Sequence, residues 1–263
     1  MMNNADHSFY ILAYHDSPFI EECINSILHQ TIKSDIFIST SIPSEFLEKL
    51  SLKHNIPLII NSKREGIAGD WSFAYNSART EYITLAHQDD VYMPEYAATN
   101  LKALMDCPDS LIAFSNYIEL RGNQEMKMTF NILVKILLLR IFFLFRNTIR
   151  RKTVKRLFLS FGNPIACPGV TYNKKNIGPF DFSRDLDINL DWNAWLDFSQ
   201  RNGAFVYIKK KLFLHRVHED AESMKGISDE RRLREDKMML EKIWPKGMHQ
   251  IMSAFYSISR KGW

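Results

Sequence analysis

From residue 9 to residue 115 the chain repeats one cycle: a short apolar run, a polar turn, then apolar positions at helical spacing. The runs fall at residues 9–14, 36–39, 57–60, 82–86 and 111–115, and each reads as a strand. Phe19, Ile20, Cys23, Ile24, Ile27 and Leu28 mark a first helix, with Glu21 and Glu22 favourably placed in its first turn. Ser44 reads as the cap of a second helix reaching about Leu52. A glycine-containing loop, residues 61–69, leads into a third helix ending near Ala78, and a fourth spans about 95–105. Strands spaced this way by helices imply crossover connections, so the cycle predicts an α/β fold with a mainly parallel, twisted sheet flanked by helices. Ligands of such sheets bind beyond the carboxyl ends of the strands. The polar loop at residues 87–94 sits at one of those ends.

The second half departs from the cycle. Residues 131–145 are strongly apolar, residues 146–156 are basic, and residues 162–191 are rich in Gly, Pro and Asn. Helical patterns return at residues 191–201 and, as a charged amphipathic helix, at 228–244. Strands are expected at 170–172 and 204–209. No linker or repeat divides the 263 residues, so a single domain, 1–263, with an inserted segment at 121–160 is the simplest organisation. That segment holds ten Lys and Arg against one acid, Glu125. Lys135 and Arg140 interrupt the apolar run, which falls short of the roughly 20 residues a membrane span needs. An apolar helix followed by a basic one suits the surface of an anionic inner membrane, contacted through residues 131–156. The alternatives are a hairpin buried against the domain, a homodimer interface, or a patch that binds an anionic acceptor.

A net charge of +4 gives no reason to expect nucleic-acid binding. Cys23, Cys107 and Cys167 are odd in number and widely spaced, which argues for free thiols in a reducing compartment. The polar start of the chain shows no signal-peptide pattern, and the expected location is cytoplasmic. No GxGxxG follows any strand, which excludes a dinucleotide dehydrogenase.

In the stretch YITLAHQDDVYMP an apolar strand delivers Asp89 and Asp90 into a loop. Adjacent carboxylates repel unless a positive charge lies beside them, and oxygen ligands suit Mg²⁺ or Mn²⁺, completed by a diphosphate. Capping of the next helix is the plainer explanation of the same two acids. Further on, Asp191 precedes Trp192 and Trp195 at the start of a helix, where capping again suffices. Two histidines, His215 and His218, flank Arg216 just after a strand. Glu219, Asp220 and Glu222 read as a solvated face.

The order of these stretches resembles family 2 glycosyltransferases. In that family a strand is followed by D-x-D-D and a proline-started helix, and His87-Gln88-Asp89-Asp90 is similar to its DQDD variant, with His87 in place of the first acid. The opening unit ILAYHDSPFIEECINSILHQT looks like the family's first strand and helix, with Ser26 to Gln30 matching its closing S-x-x-x-Q. NSKREGIAGDWSFAYNSARTEYI is similar to the segment before the metal strand. The resemblance covers about residues 8–120 and 162–220 and implies a Rossmann-like GT-A fold carrying a basic amphipathic helical insertion. It implies inverting transfer of a hexosyl or deoxyhexosyl group, such as rhamnose, from a nucleotide-sugar donor. The implied acceptor is a glycan or lipid-linked saccharide, as in bacterial surface polysaccharide (O-antigen or capsule) synthesis. By the resemblance, Asp191 is the general base, with Asp187 as the alternative. Asp89, Asp90 and His218 hold Mn²⁺ or Mg²⁺. Tyr14, Arg64, Gly66, Gly69, Asp89 and Arg216 line the nucleotide-sugar site. The acid usual after the second strand is replaced by Ser39-Thr40-Ser41, so the nucleotide cannot be named. Two rivals are a sugar nucleotidyltransferase, which lacks its glycine-rich phosphate loop here, and a non-catalytic membrane-associated scaffold.

Overall fold

The computed structural model describes residues 6–122, 124–125, 130–218 and 230–248. Its ten strands form one sheet in the order β3-β2-β1-β4-β9-β6-β10-β5, with β7 on β6 and β8 on β10. The first half follows the expected cycle: β1 (His7–Leu12), α1 (Ile20–Leu28), β2 (Asp35–Thr40), α2 (Glu45–His54), β3 (Leu58–Ile60), α3 (Gly66–Ser77) and β4 (Tyr82–His87). Pairing is parallel through β3-β2-β1-β4. Ser44 caps α2, its side chain accepting from Leu47 N at 3.3 Å. Side chains alternate across the sheet: Phe9 and Ile11 pack on one face with Ile20, Cys23, Ile24 and Ile27 of α1, while Tyr10, Ile83 and Leu85 face α3.

Three features of the sheet differ from the simple cycle. The 87–94 loop contains a short strand, β5 (Val91–Tyr92), ahead of α4 (Tyr96–Met105). β6 (Ser110–Arg121) and β10 (Ala204–Val217) run far beyond the expected 111–115 and 204–209, paired in parallel. The run Lys209-Lys210-Lys211, which reads as a strand end, is exposed and lies where the register shifts between Ile208 and Phe213. Third, β9 (Val170–Asn173) enters antiparallel between β4 and β6, so parallel pairing gives way to mixed pairing beyond β4.

The 121–160 segment also takes a specific form. After β7 (Gln124–Glu125) comes α5 (Phe130–Phe143), then β8 (Thr148–Ile149) and α6 (Lys152–Leu159). The basic stretch 146–156 is therefore not one helix: its first part is a strand paired with β10. α5 has two faces. Leu139 and Phe143 are buried in the same cluster as Phe158 and Leu159 of α6, Tyr207 of β10 and Trp195. Leu133, Leu137 and Ile141 stand exposed on the other. No helix among the described residues is long and apolar enough to cross a membrane.

The 162–191 region contains a 3-10 turn at Cys167–Gly169, then β9 and a one-turn helix, α7 (Lys174–Ile177). α8 (Leu190–Ser199) buries Trp192, Trp195 and Phe198, and α9 (Arg231–Ile243) packs Met239, Leu240 and Ile243 into the same cluster. The buried Lys155 of α6 donates to Phe198 O, Arg201 O and Gly203 O at 3.2, 2.8 and 2.9 Å, satisfying carbonyls at and beyond the end of α8. Glu219, Asp220, Glu222 and the start of the 228–244 helix lie outside the described residues.

Candidate active site

β4 ends at His87, and the chain then turns through Gln88, Asp89 and Asp90 into β5. β5 pairs antiparallel with β10, Leu214 opposite Val91 and Phe213 opposite Tyr92. This pairing draws the last residues of β10 over the acidic loop. The S-x-x-x-Q ending of α1 serves the same loop. Ser26 Oγ accepts from Tyr92 N at 3.0 Å, and Gln30 donates to Met93 O at 2.8 Å and accepts from Ala97 N at 2.9 Å. A hydroxyl and an amide on one helix thus satisfy backbone groups that a loop would otherwise leave to water.

The two acids have different surroundings. Asp89 Oδ1 accepts from Ser17 Oγ at 2.8 Å, and Oδ2 lies 3.1 Å from His218 Nε2; both side chains are nearly a quarter exposed. Asp90 is 1 % exposed, and its Oδ1 takes His215 Nδ1 at 3.0 Å and Arg216 N at 2.9 Å. Asp90 therefore fastens β10 to the loop through Oδ1. Its Oδ2, like His87 Nε2, is buried with no hydrogen-bond partner among the described residues. Burial alone would lower the His215 pKa, but the Asp90 charge and hydrogen bond outweigh it and raise it. Burial lowers the His87 pKa, so the residue in place of the first acid is held neutral, its ring 5.1 Å from that of Trp71.

Arg216 follows His215 on β10. It is 6 % exposed and spends its guanidinium on Glu22 Oε2 at 2.6 Å, Asp89 O at 3.1 Å and Gly122 O at 3.4 Å, over the Phe19 ring at 4.4 Å. A cation held this way ties α1 to β10 and the loop. Asp89 and His218 remain as a carboxylate and an imidazole beside each other, a donor pair that suits Mn²⁺. No larger cluster of acids, histidines and cysteines forms among the described residues, so phosphate and water oxygens would have to complete the coordination.

Of the other expected donor-site residues, Tyr14 follows β1 and meets the acidic loop, while Arg64, Gly66 and Gly69 lie just before and at the start of α3. Tyr14, half exposed, is held by a backbone pair to Gln88: its N–H donates to Oε1 at 3.1 Å and its C=O accepts from Nε2 at 2.9 Å. Arg64 is exposed and makes no hydrogen bond or ion pair among the described residues. Gly66 begins α3 at φ +72°, a left-handed conformation that favours glycine. A Cβ on Gly69 would meet Glu65 Cβ at 2.6 Å, so its close approach is to the preceding turn of its own chain. An acid from α3 reaches the end of β2. Asp70 accepts from Ser41 Oγ at 2.7 Å and Asn61 Nδ2 at 2.9 Å. Sequence reasoning passed over Asp70, although it stands four residues after Gly66 in the quoted segment.

The second acidic site is built by distant pieces. Asp191 lies in the first turn of α8, partly buried, its Oδ1 accepting from Trp192 N and its Oδ2 from Asn163 Nδ2, both at 2.7 Å. Burial pushes its pKa up to about 6, against the pull of these hydrogen bonds and of the Lys135 and Arg232 charges. Asn163 belongs to the loop at residues 161–174, where the sequence named no catalytic residue. Asp187 is half exposed and 3.5 Å from Arg231, an ordinary surface pairing. The backbone between the two acids is gripped by Glu235 of α9, fully buried, which accepts from Asp187 N, Ile188 N and Asn189 N at 3.0, 2.9 and 2.9 Å. The segment from Asn163 to Pro168 links the two sites: Asn163 donates to Asp191, and Pro168 O accepts from Tyr92 Oη of β5 at 3.1 Å. The two acidic loops therefore flank one region of the molecule.

The sheet and the paired acidic loops define a Rossmann-like GT-A fold, and solved structures share it. The chain superposes on residues 1–349 of TarS from S. aureus with a TM-score of 0.62 at 12% identity, covering 97% of this chain and 71% of that one. The TarS 1–349 complex with UDP-GlcNAc gives the same TM-score and identity over 97% and 72%. The mannosyltransferase PcManGT from Pyrobaculum calidifontis, in complex with GDP-Man and Mn²⁺, gives 0.57 at 13% over 98% and 65%. Against full-length TarS the chain spans 43% of the length. No curated protein matches the sequence. The family model for glycosyl transferase family 2 matches residues 8–176, and the chain belongs to that family.

Proposed function

We propose that the chain is an inverting glycosyltransferase in which Asp89 marks the donor side and Asp191 is the general base. The observation that carries this reading is Asp191 itself: a partly buried carboxylate with a pKa near 6, anchored by Asn163 and beside the acidic loop. A base of that pKa is ionised at neutral pH and basic enough to accept a hydroxyl proton. In the proposed reaction the acceptor oxygen attacks the anomeric carbon from the face opposite the nucleotide, and Asp191 takes its proton. The nucleoside diphosphate leaves with the bonding electrons, and the configuration inverts.

Asp89 and His218 would hold Mn²⁺ or Mg²⁺, and such an ion offsets charge on the departing diphosphate. Asp90 and Arg216 fix the backbone that carries both ligands. Donor complexes of the similar structures, with UDP-GlcNAc and with GDP-Man and Mn²⁺, support a nucleotide-sugar donor and a divalent ion. A DQDD-like role for His87 to Asp90, a deoxyhexosyl donor and a lipid-linked or polysaccharide acceptor follow from the family resemblance.

The outer face of α5 supports a peripheral position on the cytoplasmic side of a membrane. Leu133, Leu137, Ile141 and Leu144 form an exposed apolar stripe ending in Phe145, which is 92 % exposed, with Arg140, Arg146, Arg151 and Lys152 exposed around it. Apolar residues ringed by cations suit an anionic bilayer surface, and the free cysteines suit a reducing compartment.

The decisive experiment is calorimetric titration of UDP, GDP, dTDP and CDP, with and without Mn²⁺, on wild type and Asp89→Ala. One nucleotide class binding only with Mn²⁺, and at least ~10-fold more weakly to the variant, is expected. If none binds with Mn²⁺ at millimolar concentration, the donor site is refuted and the non-catalytic scaffold takes its place.

A further inference from the structure

Asn163 begins a stiff segment. Pro164 and Pro168 restrict its backbone, and Ile165 and Cys167 are buried. A 3-10 turn closes its far end, Gly169 N donating to Ala166 O at 3.0 Å. Gly169 sits so close to β10 that a Cβ there would collide with the Phe213 ring. Tyr92 of β5 and Tyr96 of α4 both donate to Pro168 O, at 3.1 and 3.3 Å. One end is thus fastened to the strand that follows the acidic loop, and the other presents an amide to Asp191.

That amide has one orientation. Ile165 N can only donate, so at 3.2 Å it claims Asn163 Oδ1 and leaves Nδ2 to face Asp191 Oδ2 at 2.7 Å. Asp191 Oδ1 accepts from Trp192 N at 2.7 Å, and the Trp192 indole donates to Leu159 O at 3.0 Å. Both carboxylate oxygens therefore meet fixed donors, which hold the plane of the group and leave each oxygen a second lone pair for a proton. Neither donor can accept, so both favour the ionised form. The charges of Lys135 on α5 and Arg232 on α9 act in the same sense, against burial. Cys167 and Tyr172 are both kept protonated, chiefly by burial, with the Asp191 charge adding to it. Trp192 N is backbone and stays whatever the side chain; Asn163 is the donor that a substitution removes.

We infer that Asn163 is a positioning residue for transfer, its hydrogen bond fixing the plane of the Asp191 carboxylate that takes up the acceptor's proton. The role in transfer rests on the proposed role of Asp191; the pairing of the two side chains does not. Because the far end of the segment is bound to β5, the base is set relative to the donor loop as well as to α8. A displacement at the anomeric carbon depends on that mutual placement of base and donor.

The test follows the Asp191 carboxyl by carbon NMR in protein isotopically labelled at aspartate Cγ, its signal being the one missing from Asp191→Asn. Wild type should titrate with a midpoint near pH 6. Asn163→Ala should raise that midpoint by about one pH unit. Asn163→Asp keeps an oxygen for Ile165 N but replaces the donor with a second carboxyl, so the pair should share a proton and its upper midpoint should rise by roughly two units. Release of nucleoside diphosphate from UDP-GlcNAc or GDP-Man with Mn²⁺ should slow in both variants, with its acid limb displaced to the same extent and KM for the donor unchanged. Circular dichroism and thermal unfolding confirm that the variants are folded. An unchanged midpoint in both variants overturns the pairing. A raised midpoint with an unmoved acid limb overturns the positioning role. Asp191→Asn separates this from the proposed base: release retained in that variant refutes the base, while raised midpoints in the Asn163 variants leave the pairing standing.

Discussion

Replacing Asp191 with Asn should abolish transfer and remove a charge-burial penalty that wild type carries at neutral pH and loses in acid. The carboxyl rises from an ordinary 3.8 to about 6 on folding because burial opposes its charge. A raised pKa means the folded state holds the proton more tightly, so wild type carries no penalty below about pH 3.8. The penalty grows as pH rises through the window from 3.8 to about 6 and is complete above it. A shift of roughly two units is worth ~3 kcal/mol at full ionisation. Between about pH 4.5 and pH 7.5 the change amounts to ~2 kcal/mol. Asn keeps the side-chain oxygen that accepts from Trp192 N, and it has no charge to titrate. Urea unfolding of both proteins at the two pH values should show the Asn variant gaining ~2 kcal/mol on wild type as pH rises, or about 4–8 °C in Tm for a domain of this size. In wild type, transfer should fall to half near pH 6 on the acid side. A stability difference that stays constant with pH would refute the buried, raised carboxyl and with it the argument for a tuned base.

Lys155→Met should cost about 3 kcal/mol in urea unfolding, because three carbonyls at and beyond the end of α8 lose their donor in a buried place; a loss under ~1 kcal/mol would show that water reaches them. Leu137→Asp with Ile141→Asp, both on the exposed stripe of α5, should leave the fold intact and release the protein from anionic vesicles in a flotation assay. Flotation unchanged by the substitutions removes the membrane reading, and a switch from dimer to monomer in solution would assign the stripe to a second copy of the chain.

Local pattern carried the first half of the molecule. The strands and helices up to α4 lie within a few residues of where periodicity puts them, because each buries one face against a neighbour close in sequence. The acidic loop was legible for the same reason, as was Asp191 in the first turn of a helix. Long-range assembly was not. Asp90 and Arg216 differ by 126 positions, and nothing local shows that one will accept from the other's backbone. Arg216 looks available in sequence and is consumed by Glu22, 194 positions away. The lysine run that marks a strand end by composition is a bulge in a longer strand. Lys135 interrupts the apolar run, and nothing local shows that its ammonium donates to a tyrosine on the sheet. Its partner, Tyr117, lies on β6 beyond the expected end of that strand. Glu235 read as one charge among many on an amphipathic helix, yet three backbone donors converge on it.

The bracing of both acidic loops by residues far downstream imposes a timetable on biosynthesis. Asp89 and Asp90 emerge from the ribosome well before His215, Arg216 and His218, and Asp191 well before Glu235. At ordinary elongation rates the first interval is on the order of ten seconds. Throughout it the donor half can pair β1 to β4 with its helices, while its acidic loop has neither its imidazoles nor its β10 anchor. A nascent chain is then a sheet without a closed site, unable to hold or waste a costly activated sugar. Competence arrives once, late, when β10 and α9 dock.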